Sequence, residues 1–168
     1  APLFDIEFLF LRIRGKSVGE STKVNITCPD DNETQVMVSV NLEDIDVHMT
    51  ADHDNTIKIN NDVTIHMRYP ILADLQGGFF DEDMTSRVFD IMNSCITKIE
   101  WGETIYDRSD ITKKEMEDFV DSLDSNNLES VMKFFDTMPK LRHVVSIVNP
   151  KTKVKSEVVL EGLQTFLD

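Results

Sequence analysis

The run Val24-Asn25-Ile26-Thr27-Cys28-Pro29-Asp30-Asp31-Asn32-Glu33-Thr34-Gln35-Val36-Met37-Val38-Ser39-Val40 decides the fold class. Val24 and Ile26 alternate with polar neighbours, Cys28 to Glu33 is rich in turn formers, and Val36, Val38 and Val40 alternate again. Successive side chains on a strand point to opposite faces, so this spacing predicts a β-hairpin with a loop of moderate length. Immediately upstream the period changes. Asp5 can cap a helix whose apolar stripe is Ile6, Leu9, Phe10 and Ile13, with Gly15 and Gly19 as stops. Phe8 and Leu11 fall off that stripe, and a helix apolar on more than one side is either deeply buried or docked on something else. Two periods side by side predict a mixed α and β chain.

Working outward, Ile57 and Ile59, the Asn60-Asn61-Asp62 turn, then Val63, Ile65 and Met67 predict a second hairpin. The two hairpins suggest a small antiparallel sheet over roughly residues 22–69, which Tyr69-Pro70 ends because proline cannot donate to a ladder. Gly77-Gly78 marks a hinge-like break. Met84, Val88, Ile91, Met92, Cys95 and Ile99 form an amphipathic helical stripe, with Asp81 or Asp83 available as its cap. Trp101 to Asp110 reads as a loop or a short hairpin. Thr112 and Glu115 have capping-box spacing ahead of Met116, Phe119, Val120 and Leu123. Asn126 and Glu129 suit the start of a further helix carrying Leu128, Val131, Met132 and Phe135, and Pro139 closes it. A last hairpin, Leu141 to Val148 and Val154 to Leu160, turns at Asn149-Pro150-Lys151-Thr152 before a helical turn from Glu161 to Leu167. The expected architecture is α+β. Antiparallel hairpins at about 22–69 and 141–160 combine with an N-terminal helix and a helical segment at about 81–138. One domain spans 1–168, divisible into lobes 1–70 and 71–168.

Composition narrows the partners. Asp and Glu total 31 against 17 Lys and Arg, giving a formal net charge of −14. Such a surface repels phosphate backbones, so nucleic acid is a poor partner. The acid either keeps the chain in solution or complements a basic surface on another protein. Cys28 and Cys95 lie far apart, one in a turn and one on a helix, which fits a reducing cytosol and no disulfide framework. No apolar run approaches the roughly 18–20 residues that a membrane span requires. The chain opens at Ala1 without an initiator Met, as a processed form or a fragment would.

Chemistry-bearing motifs are sparse. There is no Gly-x-Ser-x-Gly elbow, and Cys95 lies on an apolar stripe, where a thiol acts as a small hydrophobe. Gly77-Gly78 is followed by Phe79-Phe80 and acids, the wrong chemistry for a phosphate loop. His48, His53, His66 and His143 are scattered. Asp52-His53-Asp54-Asn55 and Asp81-Glu82-Asp83 lack the glycine and distant glutamate of a calcium loop. The expectation is no catalytic residue, no metal, no cofactor and no small-molecule substrate. An enzyme hidden in the acidic loops and an acidic mimic of nucleic acid are the competing classes. Phe134, Met138, Pro139 and Leu141 either fill a core between helix and final hairpin or form an exposed docking patch. With Phe8 and Leu11 they are the candidate partner-binding residues.

Three stretches together resemble one family. Pro2-Leu3-Phe4-Asp5-Ile6-Glu7-Phe8-Leu9-Phe10-Leu11-Arg12-Ile13-Arg14, continuing through Lys16-Ser17-Val18-Gly19-Glu20, is similar to a conserved core of T4-like phage baseplate hub proteins. Phe134-Phe135-Asp136-Thr137-Met138-Pro139-Lys140-Leu141 and Val158-Val159-Leu160-Glu161-Gly162-Leu163-Gln164-Thr165-Phe166 resemble two further segments of that family, in its order. The resemblance implies a hub component or hub assembly factor without enzymatic activity, partnered by other hub or tape-measure proteins. It implies assembly in the host cytoplasm and a place in the tail baseplate if the protein is retained. A transient tail assembly chaperone, absent from the virion, is the alternative. Many relatives carry Cys-x-x-Cys pairs in two hairpin turns, suggestive of a zinc ribbon. The corresponding turns here are Cys28-Pro29-Asp30-Asp31 and Asn149-Pro150-Lys151-Thr152. One thiolate cannot make a tetrahedral structural site, so the hairpins are expected to be held by turn chemistry and packing. Relatives also carry a region before the Leu-Phe-Asp motif. If such a segment covers the first helix, Phe8 and Leu11 are exposed without it.

Overall fold

A computed structural model describes residues 1–17, 19–75 and 84–166. The Gly77-Gly78 break and the Asp81 or Asp83 cap lie outside them. The chain runs α1 (Leu3–Ser17), β1 (Ser21–Thr27), β2 (Gln35–Asn41), β3 (Asp46–His48), β4 (Thr56–Lys58), β5 (Val63–Met67), α2 (Met84–Cys95), β6 (Ile96–Trp101), β7 (Thr104–Asp107), α3 (Lys113–Asp121), α4 (Ser125–Thr137), β8 (Lys140–Val148) and β9 (Lys155–Glu161). The fold is α+β.

These elements form two compact units. One holds Ala1–Leu3 and Thr50–Met138; the other holds Phe4–Met49 and Pro139–Asp168. The boundary near residue 70 anticipated above is not where the contacts divide. Backbone pairing explains the difference: β3 pairs with β8, Val47 opposite Leu141, which ties residues before 50 to residues after 138. A strand as short as Asp46–His48 has no readable alternation, so the sequence pattern did not reveal it.

The expected single sheet over 22–69 is likewise two separate structures. β1 and β2 pair only with each other, Val24 opposite Val38 and Ile26 opposite Val36. β4 and β5 instead begin a four-stranded antiparallel sheet of order β4-β5-β6-β7, and the third sheet has order β3-β8-β9. In the unit that contains Thr50–Met138, Ile57, Ile65 and Ile99 from the four-stranded sheet share a core with Met92, Met116, Val131 and Phe134 from the helices. In the other, Val24, Ile26 and Val40 pack with Leu11, Leu141 and Ile147.

The helical stripe expected to reach Ile99 stops at Cys95, and the chain passes directly into β6. The Arg68 amide donates to the Cys95 carbonyl at 2.8 Å, and Ile96 stands opposite Met67 on β5. The β-branched residues Ile96, Thr97 and Ile99 favour that pleated surface. α3 begins as its spacing predicts: the Thr112 side chain accepts from the Glu115 amide at 3.2 Å, and the Glu115 carboxylate accepts from the Thr112 amide at 2.8 Å. α4 starts earlier than Asn126. Its cap is Asp124, whose carboxylate accepts from the Asn127 amide at 2.8 Å. α1 begins at Leu3, which puts Asp5 in the first turn instead of at the cap.

Candidate protein-contact surfaces

α1 presents the face opposite to the one its stripe suggests. Leu11 is 1% exposed, and Phe8 packs against the same core. Leu9, Phe10 and Ile13 are 60%, 49% and 56% exposed. Two arginines hold this rotation. Arg12 donates to the carbonyls of Glu43 at 3.0 Å and Ile45 at 3.4 Å, and its guanidinium lies 4.7 Å from the Phe8 ring centroid. Arg14 donates to the Phe166 carbonyl at 2.8 Å. Glu7, one turn before Leu11, has its carboxyl held above the usual range by burial. On the outer face, Leu9 and Ile13 stand one turn apart with Phe10 beside them, a contiguous apolar strip on a solvated helix.

The six candidate partner-contact residues divide between the two units. Leu11, Pro139 and Leu141 are buried and Phe8 is half-buried, all in the unit that contains α1. Phe134 is buried in the other unit and Met138 is half-buried there. Phe134 stacks at 5.7 Å with Tyr69, lies 5.0 Å from the His53 ring and meets Phe135 edge-on at 5.2 Å. The Thr137 hydroxyl lies 2.7 Å from the Lys133 carbonyl, to which it can donate, and hydrogen-bonds with Nδ1 of His53 at 2.8 Å.

Exposed apolar side chains also occur on the β6–β7 hairpin, with Trp101 and Tyr106 on one face and Ile105 on the other. No residue of β7 is buried. β7 is the edge strand of its sheet, with Gly102 at φ +61° in the tight turn. The available signal was Trp101 just before Gly102-Glu103 and Tyr106 three residues after it, large side chains around a hairpin turn.

The two x-Pro-x-x turns come together in the unit that contains α1. The Asn149 amide donates to Asp31 at 2.9 Å and to both oxygens of Asp30 at 3.1 and 3.2 Å. The Thr152 hydroxyl donates to Asp30 at 2.6 Å. Thr34 donates to Asp31 from its hydroxyl at 2.6 Å and from its amide at 3.0 Å. These bonds hold the carboxyls of Asp30 and Asp31 below the usual carboxylate range, in Asp30 through Thr152 first and in Asp31 through Thr34 first. The set does not fit a zinc ion. Asn149 presents N–H groups to the carboxylates, while its oxygen accepts from the amides of Lys151 at 2.9 Å and Thr152 at 3.4 Å. Carboxylates only accept and backbone amides only donate, so the side chain cannot be turned round. The Cys28 thiol is pushed up by burial and then by Asp30 and Asp31, which keeps it protonated and a poor ligand. Among the described residues, no three metal-binding side chains cluster. No described helix is long and apolar enough to cross a membrane.

The chain is α+β, and its exposed apolar side chains include one face of α1 and both faces of the β6–β7 hairpin. The T4 bacteriophage base plate protein family matches residues 1–168, and the chain belongs to that family: it is a structural protein of a phage tail baseplate. Nothing matches among curated proteins or solved structures.

Proposed function

We propose that this chain is a structural or assembly protein of the central baseplate hub in a contractile-tailed phage, acting through protein–protein contacts without a catalytic step. The observation that carries the reading is the outer face of α1, where Leu9, Phe10 and Ile13 stand exposed on a helix oriented by Arg12 and Arg14. A hub or tape-measure protein covering that strip removes apolar surface from water, which drives association. Phe8, beside Leu11 on the inner side of α1, and Met138 elsewhere retain part of their surface and can add to contacts; Leu11, Phe134, Pro139 and Leu141 act by supporting the elements beneath. The hub assignment rests on the three family-like stretches, which lie on α1, on the end of α4 and on β9 with the turn after it.

Co-expression with the other hub and tape-measure proteins of the same phage, followed by size-exclusion chromatography, tests it. The wild-type chain is expected to co-migrate with one of them. Leu9→Gln with Ile13→Gln is expected to abolish co-migration while leaving the circular dichroism spectrum unchanged. Co-migration undiminished in that variant overturns the surface, and no co-migration by the wild type overturns the reading itself. Mass spectrometry of purified virions then separates a permanent hub component from a chaperone that departs.

A further inference from the structure

The two turns that meet at Asn149 share one backbone design. In each, the residue just after a strand is followed by proline, Cys28-Pro29 and Asn149-Pro150, and that first residue is 1% exposed in both. In each, the first residue's carbonyl accepts from the amide four residues on, Asn32 at 2.9 Å and Lys153 at 2.8 Å. Its own amide donates across the hairpin, Cys28 to Thr34 at 2.7 Å and Asn149 to Val154 at 2.9 Å. The fifth residues, Asn32 at φ +55° and Lys153 at φ +63°, are the only non-glycine residues with positive φ among those described. A lysine in that region is costly and persists only where the surroundings over-determine it. The same conformation thus recurs at the same place in the two turns that meet.

We infer that the paired turns are a metal-independent clasp, in which the Asn149 carboxamide occupies the position of a cross-linking cation and joins the β1–β2 hairpin to the β8–β9 hairpin. A cation bridges by attracting several oxygens to one centre. The Asn149 NH2 group does the same with directed bonds to Asp30 and Asp31, and Thr152 adds a second link to Asp30. Thr34, Glu33, Lys151 and Thr152 supply the donors that fix the remaining oxygens. Both carboxyls sit below their usual range, so the clasp is intact at neutral pH and is lost as pH falls through their lowered values. The consequence for the protein is that these hairpins stay joined in a zinc-poor or chelating medium.

Three measurements on the full chain decide this. Thermal unfolding of the wild type is expected to be unchanged by excess EDTA or by added Zn2+; a fall in Tm with EDTA overturns the inference. Asn149→Leu is expected to lower Tm by several degrees, and Thr152→Val, at an exposed position, by less. If both variants melt with the wild type, the amide is not the cross-link. The third measurement does not depend on the folding of Asn149→Leu. The clasp geometry puts the first and fourth residues of each turn around one point. The combined variant Asp31→Cys, Asn149→Cys, Thr152→Cys, with Cys28 retained, is expected to take up one Co2+ with the visible absorption of tetrahedral thiolate cobalt. Wild type treated alike stays colourless. A colourless triple variant shows that the four positions do not converge, and the inference falls.

Discussion

α1 and α3 make an instructive pair. α3 has three apolar residues in nine, Met116, Phe119 and Val120, and all three turn inward, fully or partly buried. Its outward positions are charged, Lys113, Lys114, Asp118 and Asp121 among them, so only one rotation of the helix avoids burying a charge. α1 has eight apolar residues in fifteen. That number exceeds what one face holds, and several rotations bury a comparable apolar area. Polar bonds decide between them: Arg12 and Arg14 reach carbonyls that fix Leu11 inward and leave Leu9, Phe10 and Ile13 outward. Packing specifies the inward face of α3, and hydrogen bonding that of α1.

The largest test separates the two sides of α1. Leu11→Ala removes a fully buried side chain and is expected to cost about 2–5 kcal/mol, whereas Leu9→Ala on the exposed face is expected to stay within about 0.5 kcal/mol. Urea denaturation of both variants reads the difference directly. Equal losses would mean that α1 has no preferred rotation, and the contrast with α3 would disappear.

That ambiguity explains what was legible beforehand. Hairpin alternation at Val24–Val40 and at Leu141–Leu160 survives intact, because a one-residue slip would reverse every side chain. The α+β class and the Thr112–Glu115 capping box follow from equally local rules. Three features escaped because they depend on pairing at a distance: the three-residue strand β3, the end of α2 at Cys95, and the side of α1 that faces in. Burial of the candidate contact residues depends on the same distant packing: Leu11, Phe134, Pro139 and Leu141 are buried, Phe8 and Met138 half-buried. Phe8 and Leu11 fall off the apparent stripe, and a helix apolar on more than one side does not tell from its own spacing which side is buried. The turn pair was half legible. One cysteine at Cys28 and none at 149–152 signalled that packing or turn chemistry must hold the hairpins, but the Asn149–Asp30 bond spans 119 residues and has no local signature.

A smaller effect probes how α3 is specified at its start. Thr112→Ala removes the oxygen that accepts from the Glu115 amide and is expected to cost about 1 kcal/mol, while Thr112→Ser restores most of it. Amide hydrogen exchange across Lys113–Met116 is the appropriate readout, because loss of the cap frays the first turn before it unfolds the unit. α1 has Asp5 inside its first turn and no such cap among the bonds above, so Asp5→Ala is expected to change exchange there far less.

The smallest expected change has the opposite sign. Gly15 sits within α1, where glycine is less favourable than alanine by about 0.8–1 kcal/mol in a helix interior, and by less near the end of the helix. A Cβ at this position would meet Leu42 Cβ at 3.7 Å and Cδ1 at 3.8 Å, ordinary van der Waals contact with a core side chain. Gly15→Ala is therefore expected to stabilise the chain by roughly 0.5 kcal/mol, through fewer unfolded conformations and a little added packing. The gain bears on the comparison because it acts on the inward face of α1. If Leu11, Arg12 and the contact with Leu42 set the rotation together, Gly15→Ala raises the urea midpoint and leaves co-migration with a hub partner untouched. Destabilisation would instead mean that α1 lies closer to Leu42 than a methyl group allows. The rotation of the helix would then be set by that close approach more than by its arginines.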